Sequence, residues 1–314
     1  MRQIILAIGA LTWMSCSGQP RATSTIQPVI DMHMHADLDL TRLPDGTPPG
    51  CIPQPCSSSL TQGALTGDAA LKSTLETMDR FRVVKGFLSG DNLKTVGAWV
   101  AAGNGRFIGA PLVWDPGTPA VETLRQEYAA KRLSGMGEIA TQYTGHAPND
   151  PALEPYFALA EELHVPVLIH TLGVGAPLPG FRSSAGNPLL LENVLVRHPK
   201  LRLYVEDAGY PFLSEMVAML GQYPQLYADV STITWIIPRD TFHDYLQGLI
   251  RAGVGKRIMF GSDQMQWPSA IGAGIEAINS ATFLTDAQRS DIFYNNAATF
   301  LHLSKEEVAK HHGQ

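Results

Sequence analysis

The chain has 314 residues, a formal net charge of −6 and 45% hydrophobic residues. That is a globular composition with ample material for a large core, arranged as one large α/β domain or two smaller ones. Mild acidity without Lys/Arg clusters argues against nucleic acid as a partner, and no internal apolar run is long enough to span a bilayer.

Residues 1–16 have the pattern of an export signal. Arg2 gives a small positive start, residues 4–14 are nearly all apolar, and Ser15, Cys16, Ser17 and Gly18 follow as small residues. Cys16 stands where a lipoprotein signal places its lipidated cysteine, although Trp13 occupies the position usual for leucine. Lipidation of Cys16 and plain cleavage nearby are the two readings. The expected location is therefore outside the cytoplasm, either periplasmic or anchored at the outer membrane, with membrane contact only through that lipid. Residues 17–26 are a polar tether, and 27–314 form a single domain. With Cys16 set aside, Cys51 and Cys56 remain, in a loop rich in Pro and Gly. An oxidising compartment allows a disulfide between them, and two free thiols are the alternative.

The domain opens with an apolar run from Val29 that ends in His33 and His35. In a strand the period of two puts both imidazoles on one side. A lone His-x-His is common by chance, so its weight depends on ligands at the ends of later strands. Residues 38–65 are a long loop of Pro, Gly, Ser and Cys, a length usual for functional lids. A regular alternation follows. Helices are expected over 68–82, 91–102, 118–131, 151–163, 189–197, 211–223 and 240–252, with two more over 272–281 and 286–303. Between them lie apolar strands over 83–88, 107–113, 135–140, 165–170, 201–206, 226–230 and 257–260. With the first, that makes eight strands, each followed by helix, as in an α/β (β/α)8 TIM barrel. An open doubly wound sheet is the alternative, weakened by the absence of a phosphate-binding Gly-rich loop after the first strand.

In such a barrel all strand C-termini meet at one face. There the sequence places His33 and His35, Glu138 on strand 4, His170 on strand 5, Glu206 and Asp207 on strand 6, and Asp263 after strand 8. Each alone has a structural explanation, such as a core histidine or a helix cap. Jointly, three histidines and carboxylates suit a divalent metal such as Zn²⁺.

These residues carry a resemblance. Asp31-Met32-His33-Met34-His35, Val167-Leu168-Ile169-His170, Asn187-Pro188 with Val196-Arg197-His198-Pro199, Phe260-Gly261-Ser262-Asp263 and Tyr294-Asn295-Asn296-Ala297 together resemble the amidohydrolase superfamily. The match is to its amidohydrolase-related branch, which includes aminocarboxymuconate-semialdehyde decarboxylase and pyrone-dicarboxylate lactonase. The resemblance implies a metal, zinc above all and one or two ions, held by His33, His35, His170 and Asp263. It implies a water activated by that metal and Asp263 as general base. Glu138 either bridges a second metal or hydrogen-bonds a ligand. One departure stands out: Asp207 occupies the place where relatives carry a strand-6 histidine, and it becomes a candidate proton acceptor. His198 is expected to face solvent at the opposite end, and His146 and His243 to lie in surface loops. Strand-end loops supply Trp114, Tyr143, Phe181, Tyr210, Phe212, Trp235 and Trp267. Trp235 and Trp267 are candidate substrate contacts, and Arg182 is a candidate partner for a substrate carboxylate.

The expected function is a metal-dependent hydrolase of a small amide, lactone or ester. A metal-dependent non-oxidative decarboxylase of a small acid is the alternative, and a non-catalytic metal-binding lipoprotein a third. The expected partner is a small molecule, and a homo-oligomer stays open.

Overall fold

Eight apolar runs fold as short parallel strands. They are β1 (Val29–His35), β2 (Val83–Gly90), β3 (Phe107–Pro111), β4 (Met136–Ile139), β5 (Val167–Ile169), β6 (Leu203–Val205), β7 (Leu226–Asp229) and β8 (Ile258–Met259). The computed structural model describes residues 27–38, 64–175 and 178–314. The expected signal, the Cys16 lipidation site, the tether and the Cys51–Cys56 pair lie outside the described residues, as does most of the 38–65 loop.

The strands pair in sequence order, β1-β2-β3 and β4-β5-β6-β7-β8, every pair parallel. A few backbone hydrogen bonds carry each of the two seams. Val113 N donates to Glu138 O (2.8 Å) and Ala140 N to Val113 O (2.9 Å) between the third and fourth strands. Met32 N donates to Phe260 O (2.9 Å) and Asp263 N to His33 O (2.8 Å) between the eighth and the first. The sheet thereby closes on itself as a (β/α)8 barrel.

The helices cover its outside: α1 (Gly67–Arg80), α2 (Leu93–Ala102), α3 (Val121–Ala129), α4 (Glu154–Leu163), α5 (Glu192–Arg197), α6 (Leu213–Gln222), α7 (Ile233–Ile236), α8 (Arg239–Arg251) and α9 (Ser269–Asn279). They pack by their apolar stripes. In α8, Phe242, Tyr245, Leu246 and Leu249 are buried at the spacing of one helix face, worth about 1.5–3 kcal/mol for each large apolar side chain. The chain ends in α10 (Asp286–Ser290), a π-helical turn over Asp291–Asn295, α11 (Asn296–Phe300) and α12 (Lys305–His312). The expected single helix over 286–303 is thus broken by the π turn. Helices α7 and α12 were not expected, although Ser304 and Glu307 form the capping box that opens α12.

Inside the barrel, Ile30, Met32, Phe87, Ile108, Leu168, Tyr204 and Met259 form a separate apolar cluster. Tyr204 crosses it edge-on to Phe87, ring centroids 5.5 Å apart, and its hydroxyl donates to Met32 O at 2.6 Å. This plug is the floor on which the polar site sits. Along β1 the pairing with β2 runs Asp31 to Gly86 and then Met34 to Leu88, so β1 carries one extra residue there. Such a bulge resets the alternation. Ile30 and Met32 point into the floor, Met34 packs outside with the helix-facing core, and His33 and His35 both turn to the mouth. Among the described residues no helix is long and apolar enough to cross a membrane.

Candidate metal centre

His33 and His35 come from the end of β1 and meet head to head, Nε2 to Nε2 at 3.2 Å. Glu138 joins them from β4, its Oε2 3.4 Å from both nitrogens. Gly137 sets the approach. Its φ is +95°, and a Cβ there would overlap the carbonyl oxygen of Leu168. Ser89, at the end of β2, accepts from Glu138 N (2.8 Å) and donates to Gly137 O (2.9 Å). Asp263 follows β8, with φ 45°, a left-handed conformation that aspartate tolerates better than most residues. Its Oδ1 lies 2.9 Å from His35 Nε2 and 3.6 Å from His33 Nε2. The approach is not aligned as a hydrogen bond, so Oδ1 is buried without a partner. Its Oδ2 accepts from Thr232 Oγ1 at 2.9 Å.

His33 Nε2, His35 Nε2 and Asp263 Oδ1 therefore lie 2.9–3.6 Å from one another, and Glu138 Oε2 lies 3.4 Å from both nitrogens. For bonds of about 2.1 Å to a metal, the ligand–ligand edge is ~3.0 Å in an octahedron and ~3.4 Å in a tetrahedron. Two imidazole nitrogens face each other, and an orphaned carboxylate oxygen completes the set. The residues fit a divalent cation. His33, His35 and Asp263 each bring a ligand atom within 4.8 Å of the others, and so do His33, Glu138 and Glu206.

His170 meets this group from the far side of Glu138. Its Nδ1 is 3.1 Å from Glu138 Oε1 and 2.6 Å from Glu206 Oε2. Glu138 thus points one oxygen at the β1 histidines and the other at His170. Asp207 lies one layer out. Its Oδ2 lies 2.9 Å from Thr232 Oγ1, whose single proton it shares with Asp263, and its Oδ1 accepts from Ile233 N (3.1 Å). The Thr232 hydroxyl is the single group between Asp207 and Asp263. Ser231 and Asp229, after β7, back His33: Ser231 Oγ is 3.2 Å from His33 Nδ1 and 2.7 Å from Asp229 Oδ1.

All of these groups are buried, and the electrostatics follow. Burial works against a charged His33, but Asp263, the Glu138 hydrogen bond and Asp229 outweigh it and push its pKa up to about 10. Burial also works against a charged Glu138, which His170 and His33 nonetheless hold well below the usual range. Burial, then Glu138 and Asp207, drive Glu206 well above it. Burial, with Asp229 and Asp263, raises Asp207 to about 6, and burial raises Asp31 to about 7.

Aromatic side chains flank the centre. Tyr143 lays its ring over His170, centroids 4.7 Å apart, and meets Phe181 at 5.4 Å and Trp114 at 5.7 Å. Trp235 and Trp267 pack edge to face at 6.2 Å, and Trp235 Nε1 donates to Ser262 O at 2.9 Å. Arg182 is exposed, its Nη1 donating to the carbonyls of Pro179 and Phe181.

Two expectations are corrected, and the end of β6 is resolved. His198 does not face solvent: it is 7% exposed and sits between Glu161 (3.0 Å) and Glu154 (2.7 Å), because helix ends pack over it. His243 is inside α8 rather than in a loop, bonded to Ala277 O at 2.9 Å. At the end of β6 it is Glu206 that reaches His170, whereas the backbone at Asp207 (φ 52°) and Ala208 (φ 46°) turns left-handed and swings Asp207 toward Thr232. Sequence reasoning missed Asp229, Ser231 and Thr232. Asp229 ends β7, much as Glu138 stands next to the end of β4 and Glu206 directly after β6, and reading the strand through Val230 hid it.

A family model described as Amidohydrolase matches residues 30–303. No curated protein matches the chain. Among solved structures, an amidohydrolase from Burkholderia multivorans with bound zinc has 15% identity and a TM-score of 0.62, covering 88% of this chain and 100% of that one. A probable 2-pyrone-4,6-dicarboxylic acid hydrolase from Acinetobacter baumannii with citric acid bound has 14% identity and a TM-score of 0.60, with the same coverage, 88% and 100%. A 5-carboxyvanillate decarboxylase from Novosphingobium aromaticivorans, complexed with manganese and 4-hydroxy-3-methoxy-5-nitrobenzoic acid, has 14% identity and a TM-score of 0.59, covering 88% and 96%. At these identities the likeness speaks for the fold.

Proposed function

The chain belongs to the Amidohydrolase family, whose members are metal-dependent hydrolases and decarboxylases, and from that premise we propose that it hydrolyses an amide, lactone or ester of a small molecule. The observation that carries this is the setting of Asp263. One oxygen is fixed by Thr232, and the other is free beside the paired histidines. His33, His35, Glu138 and Asp263 would hold the first cation, with His170 and Glu206 beside it as ligands for a second. Zinc suits a first group of two imidazole nitrogens and two carboxylate oxygens. A bound cation supplies Lewis acidity, polarising a carbonyl and lowering the pKa of water toward ~7.

The chain's own residues supply the rest. Asp263 Oδ1 takes the proton from the attacking water and returns it to the leaving alcohol or amine as the acyl bond breaks. Thr232 holds Oδ2 and so fixes the carboxylate, with Oδ1 turned toward both the cation site and the reacting water. Asp207, one hydroxyl away, buffers that proton, and the aromatic side chains around Tyr143 bound the substrate space. The same proposal places the enzyme outside the cytoplasm, supported by the signal-like residues 1–16.

A second reading, non-oxidative decarboxylation, is supported by the fold likeness to the carboxyvanillate decarboxylase and by Glu206. Its raised pKa keeps a proton available for a product carbon. The test is elemental analysis of the purified chain, with a screen over lactones, esters, amides and aromatic acids. The proposal expects bound metal and ring opening or amide cleavage lost on chelation. Carbon dioxide release without hydrolysis, or a metal-free chain after careful reconstitution, refutes it.

A further inference from the structure

Six carboxylates converge under the barrel's mouth: Asp31, Glu138, Glu206, Asp207, Asp229 and Asp263, each at most 5% exposed. Their hydrogen-bonding and ion-pair partners are histidines, hydroxyls and backbone N–H groups. Among the described residues no lysine or arginine pairs with any of them. Arg182, on the loop after β5, has its Nη1 turned to the carbonyls of Pro179 and Phe181. The stretch 39–63, by sequence, adds one arginine, Arg42, against Asp39 and Asp45. Even with Asp31 and Glu206 protonated, as burial favours, Glu138, Asp207, Asp229 and Asp263 set four carboxylates against the two charges of one divalent cation. Above His170 stand Tyr143, Trp114 and Phe181, all partly exposed, a wall that offers apolar area and ring faces rather than charge.

We infer that the substrate is an uncharged, ring-bearing ester, lactone or amide that carries no free carboxylate or phosphate. This deepens the hydrolase reading and rests on it. An anion brought into the mouth meets uncompensated carboxylates. One of them at about 8 Å, with an effective dielectric of about 20, weakens binding about 30-fold. A neutral acyl compound avoids that penalty while keeping the aromatic contact. The same charge acts on the product. Cleaving the acyl bond with water yields an acid, which ionises by releasing its proton to solvent, and the new carboxylate is expelled by the site that made it.

The experiment uses the full chain loaded with zinc and measures equilibrium binding of benzamide and benzoate, two probes alike in shape and unlike in charge. Alongside it, kcat/KM is compared for dihydrocoumarin and for the same lactone bearing a ring carboxylate. Benzamide is expected to bind at least tenfold, and about 30-fold by the estimate above, more tightly than benzoate, with the neutral lactone preferred by a similar factor. Benzoate binding as well as benzamide or better, an absence of discrimination between them, or preference for the carboxylated lactone overturns the inference. Failure of both lactones and of all other acyl compounds to react would sink the hydrolase reading instead, while the benzamide-to-benzoate ratio would still decide the charge question.

Discussion

Loading the metal should drive protons out of the protein. In the metal-free site the pKa of His33 is raised to about 10, so its imidazole is charged at pH 7.5. An imidazole that ligates a metal must be neutral. Removing that proton at pH 7.5, about 2.5 pH units below the pKa, costs about 3 kcal/mol, which appears as weakened affinity. The sign is set by the raised pKa: below about pH 10 each unit of increase relieves one proton's worth of competition. The apparent Kd should therefore fall about tenfold per pH unit between pH 7 and 8.5 and level off only as His33 is neutralised. Glu206, also raised by burial and by Glu138, releases a second proton when it ligates. Calorimetric titration of the chelator-stripped chain with Mn²⁺, in buffers of different ionisation enthalpy, reads the proton count directly. One to two protons released at pH 7.5 is the expected result. Heats independent of the buffer, with a Kd flat from pH 7 to 8.5, would refute both the charge on His33 and its role as ligand.

Other perturbations read other parts of the molecule. Asp263→Asn keeps an oxygen at the ligand position but cannot take a proton, so elemental analysis should find most of the metal retained while turnover falls about 10²- to 10⁴-fold; near-normal turnover would remove Asp263 as the base. Tyr204→Phe leaves the buried Met32 carbonyl without its 2.6 Å hydroxyl partner and should lower urea-unfolding stability by about 1–3 kcal/mol, and a loss under ~0.5 kcal/mol would mean that water satisfies the bulge. Asp31 is raised by burial to about 7, so the folded chain holds its proton more tightly than the unfolded one between about pH 4 and 7, and its contribution falls as pH rises through that window. In the chelated protein Asp31→Asn should match the wild type near pH 4 and exceed it by up to about 4 kcal/mol at pH 8; a difference that does not grow with pH would show that Asp31 stays ionised in the fold.

The barrel was legible because strand and helix periods differ so strongly. All eight strands lie where the apolar runs put them, and His33 and His35 share a side as their spacing requires. What escaped the sequence lies where the backbone breaks its own period. The extra residue in β1 at Met32 and His33 lets one strand feed the apolar floor and then the polar mouth, and nothing in the residue types announces it. At the end of β6, two non-glycine residues in left-handed geometry send Glu206 to His170 and Asp207 to Thr232. A period-two reading cannot foresee that, because the turn is held by tertiary partners, Ile233 N and Thr232 Oγ1. His198 was misplaced for a similar reason: it precedes its strand, but helix-borne Glu154 and Glu161 close over it.

The placement of unsatisfied atoms ties these deviations together. Of the nine buried side-chain atoms without a partner among the described residues, five belong to Asp31, His35, His170, Asp229 and Asp263. The apolar floor directly beneath, from Ile30 to Tyr204, contributes none. An ordinary fold avoids such concentration, since each buried unsatisfied group costs about 1–3 kcal/mol and more when charged. Here the cost is borne by the closed barrel and its helix cover, which lock the strand ends before any ligand arrives. Donor atoms fixed in this way by the surrounding packing would take up a cation without first reorganising. Stability and reactivity are thereby assigned to different layers of one barrel: the interior plug and helices hold the chain, while the mouth keeps the deficit that a cation and a neutral substrate would fill.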